Sequence, residues 1–423
     1  MKYYKSVTLG CKVNTYETQA ICQILNENGY QESHDAKCDL VIVNTCAVTL
    51  TSESKSRQKI RSLKKENPNA IVFVMGCYSQ LHPEDVASLE EADIIIGTSK
   101  RSKVLEYIAK FEQTREQIVD VNKDNRDQVY ECLNISSYNE NTRAFLKIQD
   151  GCNNFCSYCV IPYTRGNIRS RDKLEIVKEV NRLVENSYQE IVLTGIDMAS
   201  YGKDLTHVDT SFNDLLRTIL ESNSELKRLR ISSLEASLID DEFISILKTY
   251  PQVARHLHIP LQSGSKTVLE RMNRKYTKEE FLSSIKKIKE AIPSIALACD
   301  VIVGFPGESE EEFIETYNFI KECGFNYLHV FPYSPRPNTV ASRMKNQVPG
   351  NIKKERVARL ISLGNQLKEE YENKFIGQEV DVIIETYNPK TKLYKGYSSN
   401  YLEVYVNSSK DIKGQYLFTT YRK

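Results

Sequence analysis

The sequence predicts an α/β protein in three parts: an N-terminal parallel-sheet domain, a central partial (β/α)6 TIM-like barrel and a small all-β tail. Three observations predict it. Short apolar runs alternate with helical patterns over the first hundred residues. Six more such runs recur, roughly every 25 to 45 residues, between 143 and 334. The last 48 residues, 376–423, lose the helical period and carry seven of the chain's 25 tyrosines. A chain of 423 residues is also too long for one ordinary core, which suits two or three domains.

The N-terminal elements follow in order. Residues 3–9 read as a strand ending at Gly10-Cys11. Asn14 with Glu17 three residues on resembles a capping box. Tyr16, Ala20, Ile24 and Leu25 then recur at helical spacing, and Gly29 ends the helix. The run from Asp39 to Cys46 is a buried strand, followed by a charged helix over 52–66 that Pro68 ends. Ala70 to Cys77 and Asp93 to Gly97 are further strands. Apolar strands alternating with helices imply a parallel sheet covered on both faces.

Residues 100–142 are polar and read as a helix plus a linker. The second series places strands at 143–149, 190–196, 228–233, 256–262, 296–305 and 327–334, the pattern of six βα units in an open or partial barrel. A helix over 351–374 leads to the tail, which holds seven Lys/Arg against five Asp/Glu.

Composition narrows the function classes. Hydrophobic residues make up 40% and charged residues 27%, and the formal net charge is +1. No global field therefore points to a nucleic-acid partner, and any such partner must be met by local patches. No apolar run approaches the ~18 residues of a membrane span. The start, MKYYKSVTLGC, lacks the apolar core of a signal peptide. The expectation is a cytoplasmic protein with no membrane partner. Eleven cysteines, an odd number in a reducing compartment, point away from disulfides and toward metal or redox chemistry.

Cys152, Cys156 and Cys159 form a CxxxCxxC loop after the first barrel strand. Three thiolates can bind three irons of a cubane and leave the fourth open, unlike the four-cysteine ferredoxin run. An open iron can accept the amino and carboxylate groups of S-adenosylmethionine. A zinc site would want a fourth Cys or His nearby, and the nearest downstream histidine is His207. Cys11, Cys46 and Cys77 each end a predicted strand, with gaps of 35 and 31 residues. In a parallel sheet the carboxyl ends of strands share one edge. The three are therefore either converging ligands or small buried hydrophobes, the reading given to Cys22, Cys38, Cys132, Cys299 and Cys323.

CxxxCxxC after strand one resembles the radical S-adenosylmethionine superfamily. Glu190-Ile-Val-Leu-Thr-Gly195, His258-Ile-Pro260-Leu-Gln262-Ser-Gly264 and Asp300-Val-Ile-Val-Gly304-Phe-Pro-Gly307-Glu308 resemble its later strand-end motifs. Gly10-Cys11-Lys-Val-Asn14, Asn44-Thr-Cys46-Ala-Val-Thr49 and Gly76-Cys77-Tyr-Ser-Gln80 resemble the N-terminal domain of the methylthiotransferases, and the likeness covers essentially the whole chain. It implies four segments: a methylthiotransferase domain over 1–115, a linker over 116–137, a radical core over 138–368 and an OB-like RNA-binding β-barrel of the TRAM type over 371–423. It implies two 4Fe-4S clusters, an auxiliary one on Cys11, Cys46 and Cys77 and a radical one on Cys152, Cys156 and Cys159. S-adenosylmethionine then serves as methyl donor and radical source, with contacts at Tyr158, Gly195, Ser233, Gln262 and Asp300. An external electron donor and a sulfur source are further implied partners.

Two stretches suggest RNA contact. Arg165, Arg169 and Arg171 follow the radical triplet, and Tyr397, Asn400 and Tyr401 lie in the tail. Lysines and arginines meet phosphates, and tyrosines stack on bases. The bland readings are a solvated loop and cross-strand aromatic pairs. Gly-Cys-Lys-Val-Asn and Asn-Thr-Cys-Ala-Val-Thr resemble the family branch that modifies carbon 2 of N6-threonylcarbamoyladenosine at position 37, in the anticodon stem-loop of tRNA. Two other branches act on isopentenyladenosine and on a ribosomal-protein aspartate. Iron–sulfur electron carrier, RNA-binding sensor and zinc-bearing RNA-binding protein are the readings from other classes.

Overall fold

The structure, a computed structural model, describes residues 2–33, 37–126, 128–135 and 142–423. The chain forms two compact units. The first comprises Met1–Asn139, Gln149–Arg171 and Ser334–Thr339, and the second Glu140–Ile148, Asp172–Tyr333 and Val340–Lys423. The expected junction at 137–138 lies outside the described residues.

The first unit is built on a six-stranded parallel sheet: β1 (Lys2–Thr8), β2 (Tyr30–Glu32), β3 (Leu40–Thr45), β4 (Ile71–Gly76), β5 (Ile94–Ile96) and β6 (Ile118–Asp120), in the order β2-β1-β3-β4-β5-β6. Every residue of β3 and β4 is buried, because helices cover both faces. On one face Ile42, Phe73 and Met75 pack with Ile21 and Leu25 of α1 (Lys12–Glu27) and with Tyr107, Ile108 and Phe111 further along the chain. On the other, Val41, Val43, Val72 and Val74 pack with Ile60 and Leu63 of α2 (Leu50–Glu66). Burying each such side chain contributes about 1.5–3 kcal/mol.

Two strands of this sheet escaped the sequence reading. β2 and β6 are three-residue edge strands, too short to show a period. β6 also falls inside the expected linker, and past it Asn125, Leu133 and Ile135 are buried. The capping box is corrected too. Helix α1 begins at Lys12 with Cys11 as its N-cap residue and no side-chain cap. Asn14 and Glu17 lie inside the helix, buried, and serve a buried arginine instead. Among the five cysteines read as buried hydrophobes, Cys22, Cys38, Cys299 and Cys323 are buried, whereas Cys132 is exposed.

The second unit carries the expected partial barrel. Strands Arg143–Lys147, Glu190–Thr194 and Arg228–Ile231 form one parallel sheet, and His256–His258, Ala296–Val303 and Tyr327–Pro332 another. Parallel bridges Leu229–Val253 and Ser233–His258 join the two, giving six parallel strands in sequence order. Helices fill the gaps between strands. Two begin with capping boxes, Thr277 with Glu280 and Ser309 with Glu312. The tail is a four-stranded antiparallel sheet in the order Glu403–Val406, Leu393–Tyr397, Glu379–Asn388, Tyr416–Thr420, with a bulge between Ile384 and Thr386. Among the described residues no ladder joins its two outer strands.

The tail packs on the amino ends of the barrel strands. Glu190, the first residue of its strand, pairs with Arg228 at 2.9 Å and Arg230 at 2.9 Å. Arg228 reaches Asp381 at 2.6 Å and donates to the carbonyl of Tyr397 at 2.9 Å, and Arg143 pairs with Glu385. Arg230 donates to the carbonyl of Ser398 at 3.2 Å. The ring of Tyr401 stacks on His256 at 4.5 Å and lies beneath Arg230. Asn400 donates to the Tyr371 hydroxyl at 2.9 Å, and Tyr397 donates to Glu403 at 3.2 Å. Of the three tail residues expected to meet RNA, Asn400 is thus buried, while the rings of Tyr397 and Tyr401 are half-buried beside Arg143 and Arg230.

Burial pushes the Glu190 carboxyl up, but Arg230, Arg143 and Arg228 outweigh it and hold its pKa well below the ordinary carboxylate value. A depressed carboxylate contributes stability that is present above its unfolded pKa of about 4.3 and lost as pH falls below it. Glu190→Gln leaves the arginines without their anion, and should cost about 3–5 kcal/mol at pH 7. Denaturant melts should also show a shallower loss of stability between pH 5 and pH 3 in the variant than in the wild type. Parallel pH profiles would contradict the assignment.

Candidate functional site

The sheet order brings three cysteines to one edge. β1, β3 and β4 are neighbours, and their carboxyl ends lead to Cys11, Cys46 and Cys77. Cys11 is exposed, and Cys46 and Cys77 are buried. Two glycines permit the approach. Gly10 has φ +114°, and a Cβ there would sit 3.2 Å from the Cys46 Cβ and 3.3 Å from its Sγ. Gly76 has φ +109°, and a Cβ there would meet Asn44 Oδ1 at 2.4 Å and the Thr45 carbonyl at 2.5 Å. Any side chain would force these loops apart.

The polar residues of the three motifs brace the same edge. Asn14 Nδ2 donates to the carbonyls of Leu9 at 2.9 Å and Thr45 at 3.2 Å, tying the first loop to the second. Asn44 Nδ2 donates to the Asn14 carbonyl at 3.0 Å. Thr45 Oγ1 donates to the Met75 carbonyl at 2.7 Å and accepts from the Ser79 amide at 3.3 Å, tying the second to the third. Gln80 donates to the Asn122 carbonyl at 2.7 Å and accepts from the Thr98 amide at 3.0 Å. Burial pushes the Cys46 thiol up, and the Cys77 thiol up to about 12, with the charge of Arg165 opposing both shifts.

The second triplet belongs to the same compact unit. An antiparallel ribbon, Gln149–Asp150 against Arg169–Ser170, holds the base of its loop. The Cys152 amide donates to the Gly166 carbonyl at 3.1 Å, and a Cβ on Gly151 would lie 1.9 Å from the Asn167 carbonyl oxygen. Two sulfurs accept backbone hydrogen bonds: Asn154 N–H to Cys152 Sγ and Ile161 N–H to Cys159 Sγ, each at 3.4 Å. Such donors favour thiolate over thiol.

Both sets fit an iron–sulfur cubane in donor type and number: three soft sulfurs each, which would leave a fourth iron without a protein ligand. Among the described residues no three His, Cys, Asp or Glu side chains gather as ligands of a single ion. A four-iron cubane, with one thiolate on each of three irons, asks for a wider spacing than that.

The basic stretch after the triplet is corrected. Arg165, expected to meet RNA, is fully buried, with five short contacts to Glu17, Asp150 and Asn14. Arg171 is also fully buried and donates to Asn134 at 2.8 Å and the Tyr16 hydroxyl at 3.4 Å. Arg169 is buried beside Asp150 at 3.5 Å. None presents a guanidinium to a phosphate. The sequence reading also missed Glu53 and Arg336, a buried ion pair 283 residues apart in the chain, with His82 3.5 Å from the same carboxylate. Nothing in their local sequence distinguishes them from surface charges.

In the second unit, the expected S-adenosylmethionine contacts Gly195, Ser233 and Gln262 lie beyond strand carboxyl ends, and Asp300 lies within the strand Ala296–Val303. Gly195 follows Thr194, and Ser233 bridges to His258. Gln262 has φ +64°, donates its amide to the Asp300 carbonyl at 2.8 Å and accepts from Ile302 at 2.9 Å. Asp300 Oδ2 lies 2.9 Å from His258 Nε2, and His258 stacks on His329 at 5.2 Å. Tyr158 is part of the triplet loop in the first unit and is half-buried.

Comparison with known proteins gives concordant findings. Residues 146–320 match the radical SAM superfamily, and residues 3–97 match the uncharacterized protein family UPF0004. The chain is 47% identical to the threonylcarbamoyladenosine tRNA methylthiotransferase MtaB of Bacillus subtilis, over 96% of this chain and 91% of the relative. It is 36% identical to a tRNA-2-methylthio-N(6)-dimethylallyladenosine synthase of Caldicellulosiruptor saccharolyticus, over 93% of this chain and 84% of the relative. Among solved structures, the radical S-adenosylmethionine methyltransferase TsrM of Kitasatospora setae, with cobalamin and a [4Fe-4S] cluster bound, has the same fold. Its TM-score is 0.58 at 16% identity, covering 81% of this chain and 77% of that one.

The glycine geometry is testable without any cofactor. Gly76→Ala puts a methyl group 2.4 Å from Asn44 Oδ1 in a left-handed backbone conformation. It should destabilise the apo-protein by about 2–4 kcal/mol in a denaturant melt. Gly307→Ala, with φ +74° and nothing within 4 Å of the new Cβ, carries only the conformational penalty and should cost about 1 kcal/mol. Equal losses would show that the close approach at Gly76 carries no weight.

Proposed function

The chain belongs to the radical S-adenosylmethionine methylthiotransferase family, and we propose that it adds a methylthio group to carbon 2 of N6-threonylcarbamoyladenosine at position 37 of tRNA. The observation that carries the reading is the pairing of two cysteine triplets in one compact unit, one on a sheet edge and one on a hydrogen-bonded loop. The 47% identity to a relative named for threonylcarbamoyladenosine supports that substrate over dimethylallyladenosine.

The family's cofactors, two 4Fe-4S clusters and S-adenosylmethionine, supply the sulfur to be transferred, its methyl group and a deoxyadenosyl radical. Each protein group has a separate task. Cys11, Cys46 and Cys77 hold the auxiliary cluster, and Cys152, Cys156 and Cys159 the radical one. Tyr158, Gly195, Ser233, Gln262 and Asp300 orient S-adenosylmethionine. His258 Nε2 lies beside the Asp300 carboxylate, and the left-handed backbone at Gln262 sets the direction of its side chain. Asn14, Asn44 and Thr45 lock the auxiliary loops in register, so that transfer proceeds from one geometry.

The RNA side also draws on the exposed rings of the tail, Tyr405 and Phe418 on one side of its sheet and Tyr387 on the other. Tyr387, Tyr405 and Phe418 present rings to solvent, and Lys390, Lys392 and Lys413 are exposed beside them in sequence. Stacking on bases and contact with phosphates suit the anticodon stem-loop. The N-terminal sheet, the radical core and the tail then act as sulfur carrier, radical source and RNA grip. An external electron donor and a sulfur source complete the reaction.

Nucleoside mass analysis of tRNA from cells lacking the gene tests the substrate. Loss of methylthio from threonylcarbamoyladenosine is expected, whereas loss from isopentenyladenosine would overturn the branch. The anaerobically reconstituted protein should hold about eight irons per chain. Replacing Cys152, Cys156 or Cys159 with Ala should abolish deoxyadenosine release from S-adenosylmethionine. Replacing Cys11 or Cys77 should leave that release and stop methylthiolation. Methylthiolated product from an N-terminal variant would defeat the two-cluster reading.

A further inference from the structure

We infer that Arg165 is a positioning residue that locks the auxiliary and radical cysteine loops together and places a fixed positive charge beside the auxiliary cluster. The inference rests on the function proposed above and adds to it a specific coupling element.

The geometry is built from residues of one compact unit. Arg165 lies six residues after Cys159, at the end of the short helix Ile161–Arg165. Its guanidinium grips three segments. Nη1 meets Asp150 Oδ1 at 2.9 Å, two residues before Cys152. Nη1 and Nη2 meet Glu17 Oε1 and Oε2 at 2.8 and 3.1 Å, a fork onto the helix that starts at Cys11. Nη2 also donates to Asn14 Oδ1 at 2.8 Å, and Cys11 Sγ lies 3.6 Å from the same oxygen. Asn14 in turn binds the carbonyl before Cys46. One side chain thus runs from the base of the radical loop to two of the three auxiliary loops.

The anchor is itself fixed. Arg101 pairs with Glu17 at 2.9 Å and with Glu131 at 2.8 Å. The carbonyl of Thr164 accepts from Thr98 Oγ1 at 2.8 Å and from Asn125 Nδ2 at 2.7 Å. The carboxylates of Glu17 and Asp150 are both buried and both committed to this cluster. A charge so enclosed is screened little by solvent, so its field acts on the neighbouring sulfurs. Positive charge beside an iron–sulfur cluster favours its reduced, more negative state, and second-shell groups of this kind tune cluster potentials.

Two variants separate the charge from the fork. Arg165→Lys keeps a cation but cannot grip two carboxylates and an amide in one plane. Arg165→Gln removes the charge. The electrostatic half is read on a chain in which Cys152, Cys156 and Cys159 are all Ala, so that the N-terminal cluster is alone. In that background Arg165→Gln should move the midpoint potential in the negative direction and alter the spin-resonance signal of the reduced cluster, while Arg165→Lys leaves the potential near its parent value. The positional half is read on the reconstituted full chain. Arg165→Lys should lower the methylthiolated product formed per deoxyadenosine released by about ten- to a hundredfold, as expected of reacting groups held slightly out of place. An unchanged potential in Arg165→Gln together with an unchanged product ratio in Arg165→Lys would overturn the inference. If Arg165→Gln does not fold, the product ratio in Arg165→Lys decides alone. Failure of the wild type to release deoxyadenosine would instead count against the proposed function.

Discussion

A guanidinium without access to water must be surrounded by acceptors, and much of the first unit is arranged to satisfy that demand at Arg165. Glu17 and Asp150 supply the charge, and Asn14 supplies a neutral acceptor. Asn14 and Glu17 must therefore lie on the inner face of α1, which fixes the rotation of that helix about its axis. The same rotation carries Cys11 to the sheet edge beside Cys46 and Cys77. Asp150 fixes the other end, because it opens the loop that carries Cys152. A change at any of these groups leaves a buried charge uncompensated, at a cost of several kcal/mol.

The second unit solves a related problem at the opposite end of its strands. Glu190 sits at the amino end of a barrel strand among Arg143, Arg228 and Arg230, and the tail supplies Asp381, Glu385 and three backbone carbonyls to complete the set. Ala296 and Tyr327, also at strand amino ends, pack with Val380, Val382 and Leu402 of the tail. The tail is thus the floor of the barrel as well as a surface of its own. This explains why Asn400 is buried and Tyr397 and Tyr401 are half-buried, and it leaves Tyr387, Tyr405 and Phe418 as the exposed rings of the tail. It also gives the amino ends of the barrel strands over to packing.

The parts of the molecule legible in the sequence are those with a strong local signature. The buried strands β3 and β4 are unbroken apolar runs, and the six barrel strands recur with helical patterns between them. The two cysteine sets were legible because spacing, or position at a strand end, carries chemical meaning by itself. The charged groups were not. Arg165, Arg169 and Arg171 look like a basic surface patch until the fold supplies Asp150, Glu17 and Asn134, residues separated from them by 15 to 148 positions. Asn14 and Glu17 look like a helix cap because the cap signature and an inward-facing polar pair share one spacing. Local sequence fixes which side chains share a face, whereas the partner waiting there is a property of the tertiary fold.

Buried ion pairs seldom stabilise a fold more than apolar packing of the same volume would. Their persistence at Arg165 calls for another reason, and geometry supplies one. On the function proposed, two cysteine loops more than 70 residues apart in sequence would have to be held in one relation for a sulfur to pass between chemistries. Apolar surfaces tolerate small slides, since contact area changes little over a fraction of an ångström. A planar guanidinium with five short contacts to three side chains does not, because each bond weakens steeply with distance and angle. The charge cluster trades net stability for a single register. Under the chemistry proposed, a carbon radical that must meet sulfur before anything else would gain more from that register than from a firmer core.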